Sequence, residues 1–500
     1  EIAMDWITAF AGVFRPDVFF YLVVGVLSGA VIGTLPGLTA TMAVAVLTPI
    51  SFWLEPACGF AMLIGVYNSA IWSGGISAIL INTPGTPASM ASTFDGYKLS
   101  QKGYSGLALN INTIWSVIGG LLSTICLATV SFPLARFALK FGPAEFAVVA
   151  LFGLTMMVSV SGSSPIKGLL VGFLGLLFST IGLETIHAFK RYTFGQVGLL
   201  DGLNFVAVMI GLFGIGEILH QIYTSEREEK IVQAEVKTKG QMPSLKLMAS
   251  LAPQNLFAAV VSIIIGAIPG AGGDIASIVS WGNAKRLSKF PEEYGEGSVE
   301  GLSVTCTANN AVIGGAMTTM LSLGIPGDAV TAILIGSLMM YGMTPGPMLF
   351  IENRPFVLTL IAQMVIANFV ILIFGLTTSK IYPKLLSVKK TTLWVVVLFC
   401  CFVGTYAINN STTDLIVMAI FGIVGFFFKM LDLPNGPFVL GLLLGGLLEA
   451  NLRRTLAMTM GSYSIFFTSP ISVTLLIIAI ASLFLPSLIA KARKRFATGK

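Results

Sequence analysis

Charge is what this chain has least of. Only 10% of its 500 residues are Asp, Glu, Lys or Arg, 55% are hydrophobic, and the mean hydropathy is +0.88. A soluble domain carries about 25% charged residues to cover its water-facing surface, so this composition excludes one and points to a membrane protein. Histidine is nearly absent: His187 and His220 are the only two, both near segment ends. An intramembrane serine protease needs a Ser in GxSG and a histidine on a partner helix, and Ser161-Gly162 lacks the preceding Gly. The aspartyl type needs GxGD, whereas residues 271–274 read AGGD and no Tyr-Asp partner exists. The five cysteines, Cys58, Cys126, Cys306, Cys400 and Cys401, lack the CxxC spacing of a zinc or redox site and read as small core residues. No P-loop is present, since the only Gly-Lys is Gly499-Lys500, and this excludes an ATP-driven pump. No enzyme, no metal beyond a sodium ion and no cofactor are expected.

Long apolar runs are abundant. Stretches near the roughly 20 residues needed to span a bilayer lie at 17–34, 57–81, 105–132, 144–161, 165–183, 204–223, 251–268, 301–323, 355–381, 392–408, 412–431, 435–450 and 470–490. Some are short or interrupted, so the expectation is an all-α polytopic membrane protein with about 10–12 crossings and further re-entrant or broken helices. Residues 1–16 are amphipathic, with Asp5, Trp6 and Arg15, and fit an interfacial helix rather than a cleaved signal.

The formal net charge of +6 does not point to nucleic acid, because the cations cluster at the ends of apolar runs. Lys285, Arg286 and Lys289 form one group, Lys384, Lys389 and Lys390 another, and Lys491, Arg493, Lys494 and Arg495 a third. This is the positive-inside pattern, which puts the C-terminal tail in the cytoplasm. The polar segment 225–246 mixes both signs and reads as a cytoplasmic linker. The expected organisation is an interfacial helix at 1–16, a first membrane repeat at 17–223, the linker at 224–250, a second repeat at 251–468, and a terminal helix with basic tail at 469–500.

The two halves share blocks in the same order. GTLPGLTATMAVAV from Gly33 matches GAIPGAGGDIASIV from Gly266, and YNSAIWSGG at 67–75 matches ANNAVIGGA at 308–316, which pairs Asn68 with Asn309. The steps Pro84-Gly85 and Pro326-Gly327 follow one residue out of that register. GFLGLLF at 172–178 then matches GIVGFFF at 422–428, and NFVAVMIGLFGIGE at 204–217 matches PFVLGLLLGGLLE at 437–449. Repeats with Gly/Pro-interrupted apolar segments at corresponding places mark the binding site of a secondary transporter. An inverted relation between the halves is expected.

The breaks have chemical consequences. Proline lacks an N–H and biases the preceding residue away from helix, while glycine accepts φ > 0. In hydrocarbon each unpaired backbone group costs several kcal/mol, so such breaks persist where protein, water or a ligand satisfies them. A helix restarting after the break aims free N–H groups and its positive dipole end at the gap, which suits a carboxylate. A single Pro-Gly is more often a mere kink. Four of them, paired across a repeat and flanked by Asn, Ser, Thr and Asp, read as a site.

The substrate-binding candidates are therefore Pro36, Gly37, Asn68, Asn82, Thr83, Pro84, Gly85, Thr86, Pro269, Gly270, Asn309, Asn310, Ser322, Gly324, Pro326 and Gly327. Asp274, with its repeat counterpart Thr41, and Asp328 are coupling-cation candidates, weighed against a plain capping role for the carboxylates. Lys167 reads as a snorkelling surface lysine, and Glu217 and Glu449, at matching segment ends, as structural.

These residues resemble the large membrane subunit of the tripartite tricarboxylate transporters. The resemblance rests on GTLPGLTATMAVAVLTPISF at 33–52, NTPGTPAS and FDGY within 82–97, IPGAGGDIASIVSWGNAKRLSK at 268–289, ANNAVIGGA at 308–316, and LGIPGDAVTAILIGSLMMYGMTPGP at 323–347. It implies uptake of a di- or tricarboxylate without ATP, driven by sodium ions or protons, through alternating access of the elevator kind. The implied partners are a small membrane subunit and a periplasmic solute-binding protein, and the implied place is a bacterial inner membrane. One departure stands out: Thr305 and Cys306 occupy positions where the family often has Pro-Glu, so citrate is not assumed. An anion channel, or a transporter of another organic anion, is the alternative, and saturable uptake that depends on a binding protein distinguishes a transporter from a channel.

Overall fold

The structure, a computed structural model, describes residues 2–160, 165–184, 188–225, 241–378, 382, 386 and 390–481. The sequence expectations for residues 226–240, for Ser161-Gly162, His187, Lys384 and Lys389, and for the basic tail from 482 lie outside these. Each of the thirteen apolar runs is mainly helix where it is described, the 165–183 run passing beyond its helix into Gly182–Leu183, and among the described residues the only strands are the two-residue pair Gly182–Leu183 and Lys190–Arg191.

The first half runs α1 (Ile2–Val13), α2 (Pro16–Thr34), α3 (Ala40–Phe52), α4 (Pro56–Ile81), a 3-10 turn at Pro87–Ser89, α5 (Ser92–Leu99), α6 (Ser105–Ala138), α7 (Pro143–Val160), α8 (Pro165–Ser179) and α9 (Phe205–Met209), which passes through a π turn into α10 (Gly216–Ser225). The second half runs α11 (Leu245–Gly266), α12 (Gly273–Leu287), α13 (Val299–Leu323), α14 (Ala329–Met340), α15 (Leu349–Glu352), α16 (Arg354–Thr377), α17 (Lys390–Asn409), α18 (Thr412–Met430), α19 (Asn435–Met458) and α20 (Ile465–Thr468). Proline at the first helical turn of α2, α4 and α16, where a missing N–H does no harm, sets those starts. Eight helices among the described residues are long and apolar enough to cross a bilayer, and six shorter apolar ones accompany them. The protein is an all-α, multi-pass membrane protein.

The core is a crossing of α4 and α13. The apolar window of α4 is 94% buried, that of α11 only 28%, so α4 is an inner helix and α11 presents most of its surface outward. Small residues let the inner helices approach their neighbours, which is how apolar helices gain contact where lipid offers no hydrophobic penalty. On α2, Gly25, Gly29 and Gly33 follow one another every fourth residue, and a Cβ on each would strike the Met62, Val66 and Ala70 carbonyls of α4. On α11, Gly266 lies in the same way on the Val312 carbonyl of α13.

These contacts set the register between the halves. Ala70 corresponds to Val312, Gly85 to Gly327, and the left-handed helix caps Asn82 (φ 56°) and Gly324 (φ 72°) to each other, all 242 residues apart. Asn68 therefore matches Asn310, one residue from the Asn309 pairing read from the sequence. The identity match favoured one register, whereas helix contacts obey the other. Before α4 and α13 the shift is 233, as in Gly33 and Gly266 or α3 and α12, so nine extra residues lie in the loop between α12 and α13.

Candidate functional site

Two breaks and two turns meet at one cavity. After α2, Leu35 to Thr39 leave the helix, with Gly37 at φ 91°, and α3 starts at Ala40 with the Thr39 side chain accepting from Met42 N at 3.1 Å. After α11 the chain leaves the helix likewise, with Gly270 at φ 78°, and α12 restarts at Gly273. The turn after α4 folds back so that Gly85 packs on the Gly33 carbonyl and donates its N–H to Gly74 O at 3.1 Å. The turn after α13 does the same: Gly327 packs on the Gly266 carbonyl, and its own carbonyl accepts from Gly270 N at 2.7 Å. Each Pro-Gly turn thus sits on the break of its own half.

The turns then continue into the other half. Ser277 Oγ of α12 donates to the Ala88 carbonyl at 3.0 Å, and α14 packs along α3, with Thr48 and Ser337 hydroxyls 3.4 Å apart. The result is a cavity of about 480 Å³ whose wall includes Thr39 to Thr41 at the start of α3, Gly272 to Asp274 at the start of α12, Thr86 to Ala88 at the first turn, and Asp328 to Val330 at the start of α14. Three helix N-termini and one 3-10 turn converge there. Their first-turn N–H groups have no intrahelical acceptor, and each helix brings about half a positive charge at its N-terminus.

The two turns share a side-chain pair at their starts, but only the second is capped on the backbone, since Thr86 makes no side-chain bond to the turn that follows it. Asp328 accepts from Thr331 N at 2.8 Å, and Thr331 Oγ1 answers to Asp328 N at 2.9 Å. At the corresponding positions, Thr86 Oγ1 and Ser89 Oγ lie 2.8 Å apart. Asp328 also accepts from the hydroxyl of the fully buried Tyr67 on α4. Asp328 is therefore a capping residue as well as a wall of the cavity.

The remaining wall comes from α10, α18 and the loop into α19. Glu217 and Lys429 form an ion pair there, with the Glu217 side chain 8% exposed and that of Lys429 32%. Gln221 donates to Glu217 at 3.0 Å and to the Gly37 carbonyl, and accepts from Trp394 Nε1 at 2.9 Å. That network ties the first break to the peripheral helices. The sequence analysis missed Lys429 because it closes an apolar helix and reads as a surface lysine; Glu217 did register, as structural. Glu449, the counterpart of Glu217, pairs instead with Arg191 at 2.6 and 3.0 Å and with Arg453 at 2.8 Å, away from the cavity.

Of the residues singled out from sequence, Thr86, Gly270, Thr41, Asp274 and Asp328 line this cavity. Pro36, Gly37, Pro84, Gly85, Pro269, Pro326 and Gly327 form the breaks and turns that position it. Asn82 and Thr83 are exposed at the end of α4, and Gly324 is the cap of α13. Ser322 is buried, with its hydroxyl on the Thr318 carbonyl of its own helix. Asn68 on α4 and Asn309 and Asn310 on α13 are buried and do not line the cavity, and Asn310 Nδ2 donates to the Asn68 carbonyl at 3.2 Å. Thr305 shares a 3.1 Å hydroxyl contact with Ser92, and Cys306 is buried. One GxSG stretch went unweighed in the sequence, Gly103 to Gly106, and it lies at the start of α6 outside the cavity. Among the described residues the one cluster of metal-ligating atoms, Asp17, Glu55 and Cys58, already holds Arg15 on both carboxylates at 2.7 Å.

A model of the tripartite tricarboxylate transporter TctA family matches residues 19–440. The chain belongs to that family. A protein of Agrobacterium vitis described as "Uncharacterized 52.8 kDa protein in TAR-I ttuC' 3'region" is 34% identical over 476 residues, 95% of this chain and 94% of its own length. A second from the same organism, "Uncharacterized protein in TAR-II ttuC' 3'region", is 32% identical over 231 residues, which is 46% of this chain and 96% of that protein. No solved structure matches. Family membership identifies this TctA-family chain as a membrane component of a tripartite transport system.

Proposed function

We propose that this TctA-family chain is the large membrane subunit of a cation-coupled importer of di- or tricarboxylates in a bacterial inner membrane. A periplasmic solute-binding protein delivers the substrate, and a small membrane subunit completes the complex. The observation that carries this reading is the convergence of the α3, α12 and α14 N-termini, with the 86–89 turn, on one 480 Å³ cavity. Backbone N–H groups and helix dipoles hold carboxylates without a buried cation.

The charge of the wall supports cation coupling. Glu217, Asp274, Asp328 and Asp432 line the cavity against Lys429 alone, a formal −3 before any substrate enters. A polyanion is repelled there unless cations enter with it. Asp274 and Asp328 are the cation candidates at the cavity, with Thr41 in the place of Asp274 in the first half. Alternating access by movement of the two turns relative to the peripheral helices, in an elevator manner, suits an architecture in which one internal body carries both breaks and both turns.

The test is uptake into proteoliposomes containing this chain, the small subunit and the cognate binding protein, against a carboxylate panel under sodium or proton gradients. Saturable, binding-protein-dependent, gradient-driven uptake of one or more carboxylates is expected. Non-saturable flux independent of the binding protein overturns this reading in favour of an anion channel.

A further inference from the structure

Ten buried side-chain polar atoms among the described residues have no hydrogen-bond partner, and three of them belong to the two core helices: Asn68 Oδ1 on α4, and Asn309 Oδ1 and Asn310 Oδ1, adjacent on α13. All three residues are 2% exposed or less, and Asn310 bonds to the Asn68 backbone. An unsatisfied buried acceptor costs about 1–3 kcal/mol, so three on two packed helices call for a ligand. The amide orientation of two of them is set by the nitrogen. Asn68 Nδ2 donates to the Ile64 carbonyl at 2.9 Å, and Asn310 Nδ2 donates to the Asn68 carbonyl at 3.2 Å. Flipping either amide would press oxygen against oxygen, so the free atom in each is the acceptor.

We propose that the α4–α13 crossing binds a monovalent alkali cation on the side-chain oxygens of Asn68, Asn309 and Asn310. The proposal rests on the transport reading above and adds, behind the cavity wall, a cation site to the Asp274 and Asp328 candidates in it. Acceptors alone repel a carboxylate and attract a hard cation, which takes oxygen ligands. Neutral amides suit a single positive charge, whereas a divalent ion draws on carboxylates in its shell. A carboxylate lies one residue along the chain and one bond away. Tyr67, the residue before Asn68, donates to Asp328, which caps α14 on the cavity wall. An ion at the crossing is thus one tyrosine away from the start of a helix that faces the substrate, which is a route for cation occupancy to bias the second turn.

The experiment is thermal unfolding of the purified full chain in detergent, without carboxylate, as choline chloride is replaced by sodium, lithium or potassium chloride at constant ionic strength. A ligand that binds only the folded state raises the melting temperature in a concentration-dependent way. The expected result is a saturable rise of several degrees with at least one alkali cation. Asn68→Ala and Asn310→Ala should abolish it. Asn309→Ser, which breaks no helix-to-helix bond found here, should fold as wild type and move the midpoint concentration up by about tenfold. Equal melting in all four salts, or an unchanged midpoint in Asn309→Ser together with a retained shift in either alanine variant, overturns the proposal. Because no carboxylate takes part, that failure leaves the uptake reading standing, and a failed uptake assay beside an intact cation shift sinks the uptake reading alone.

Discussion

The two Pro-Gly turns occupy equivalent places and differ in what anchors them. In the second half, α14 follows Asp328 directly and meets α3 through the Thr48 and Ser337 pair at 3.4 Å and the Tyr341 hydroxyl, which donates to the Ser51 carbonyl. In the first half, a short turn leads to α5, and Asp95, the counterpart of Ser337 in the 242-residue register, meets Trp281, the counterpart of Thr48 in the 233-residue register. Trp281 Nε1 donates to Asp95 at 2.7 Å, while the other Asp95 oxygen accepts from Gly295 N at 2.8 Å, Gly297 N at 3.1 Å and Ser298 N at 2.8 Å. Those three donors lie in the loop where the second half carries its nine extra residues. A buried carboxylate thus organises the one loop that has no equivalent, and Lys98 closes its rim by pairing with Glu296 at 2.8 Å. One turn is bolted to the opposite half by a single charge with four donors, and the other by separate contacts: the Thr48 and Ser337 hydroxyls, the Tyr67 hydroxyl on Asp328 and the Tyr341 hydroxyl on the Ser51 carbonyl. The same fold thus has one strut centred on a buried charge and one spread over several hydroxyls.

Asp95→Ala should have the largest effect, because it removes a fully buried carboxylate and leaves four donors unpaired. A loss of about 3–5 kcal/mol is expected, read as a lower unfolding midpoint, whereas Ser337→Ala should change stability by less than about 1 kcal/mol. Equal losses would erase the contrast between the struts.

Gly85→Ala and Gly327→Ala come next. A Cβ at either position runs into a backbone carbonyl, that of Gly33 or Gly266, which no rotamer relieves. About 1–3 kcal/mol of strain is expected, with membrane insertion retained and carboxylate uptake down by about a hundredfold. Wild-type uptake by either variant would separate the turns from transport.

Asp328→Thr makes the start of the second turn resemble that of the first. Threonine still caps, so stability should fall by only about 1 kcal/mol, yet the bond from Tyr67 is lost. The cation requirement of uptake should weaken, measured as a higher half-saturating sodium or proton concentration. An unaltered requirement would mean that the difference between Thr86 and Asp328 is one of capping alone.

Much of this was legible in residues. The thirteen apolar runs are mainly helix, as their length and hydropathy say, and the four Pro-Gly steps fall outside helices because a residue without an N–H is followed there by one of free backbone, whereas lone Pro49, Pro133 and Pro253 stay inside helices. The short helices α3, α12 and α14 were less visible. Each is under a bilayer's length, and their Gly-, Ser- and Thr-rich openings blur the helical period. Asp95 appeared only as part of a motif, since nothing local tells that its four donors come from residues 281–298. The pairing of Asn68 with Asn310 was off by one in sequence because identity favoured Asn309, while helix packing follows close approach of glycine to carbonyl.

Sequence alone thus determined the membrane class, the long apolar helices, the places where helices break and the family resemblance, all of which depend on composition and short-range backbone chemistry. Only the tertiary structure decided that the breaks and turns surround one cavity, that Lys429 and Glu217 share its wall, and that three asparagine oxygens on α4 and α13 are buried with no donor. Those facts depend on residues more than 200 positions apart meeting in space, which no local pattern encodes.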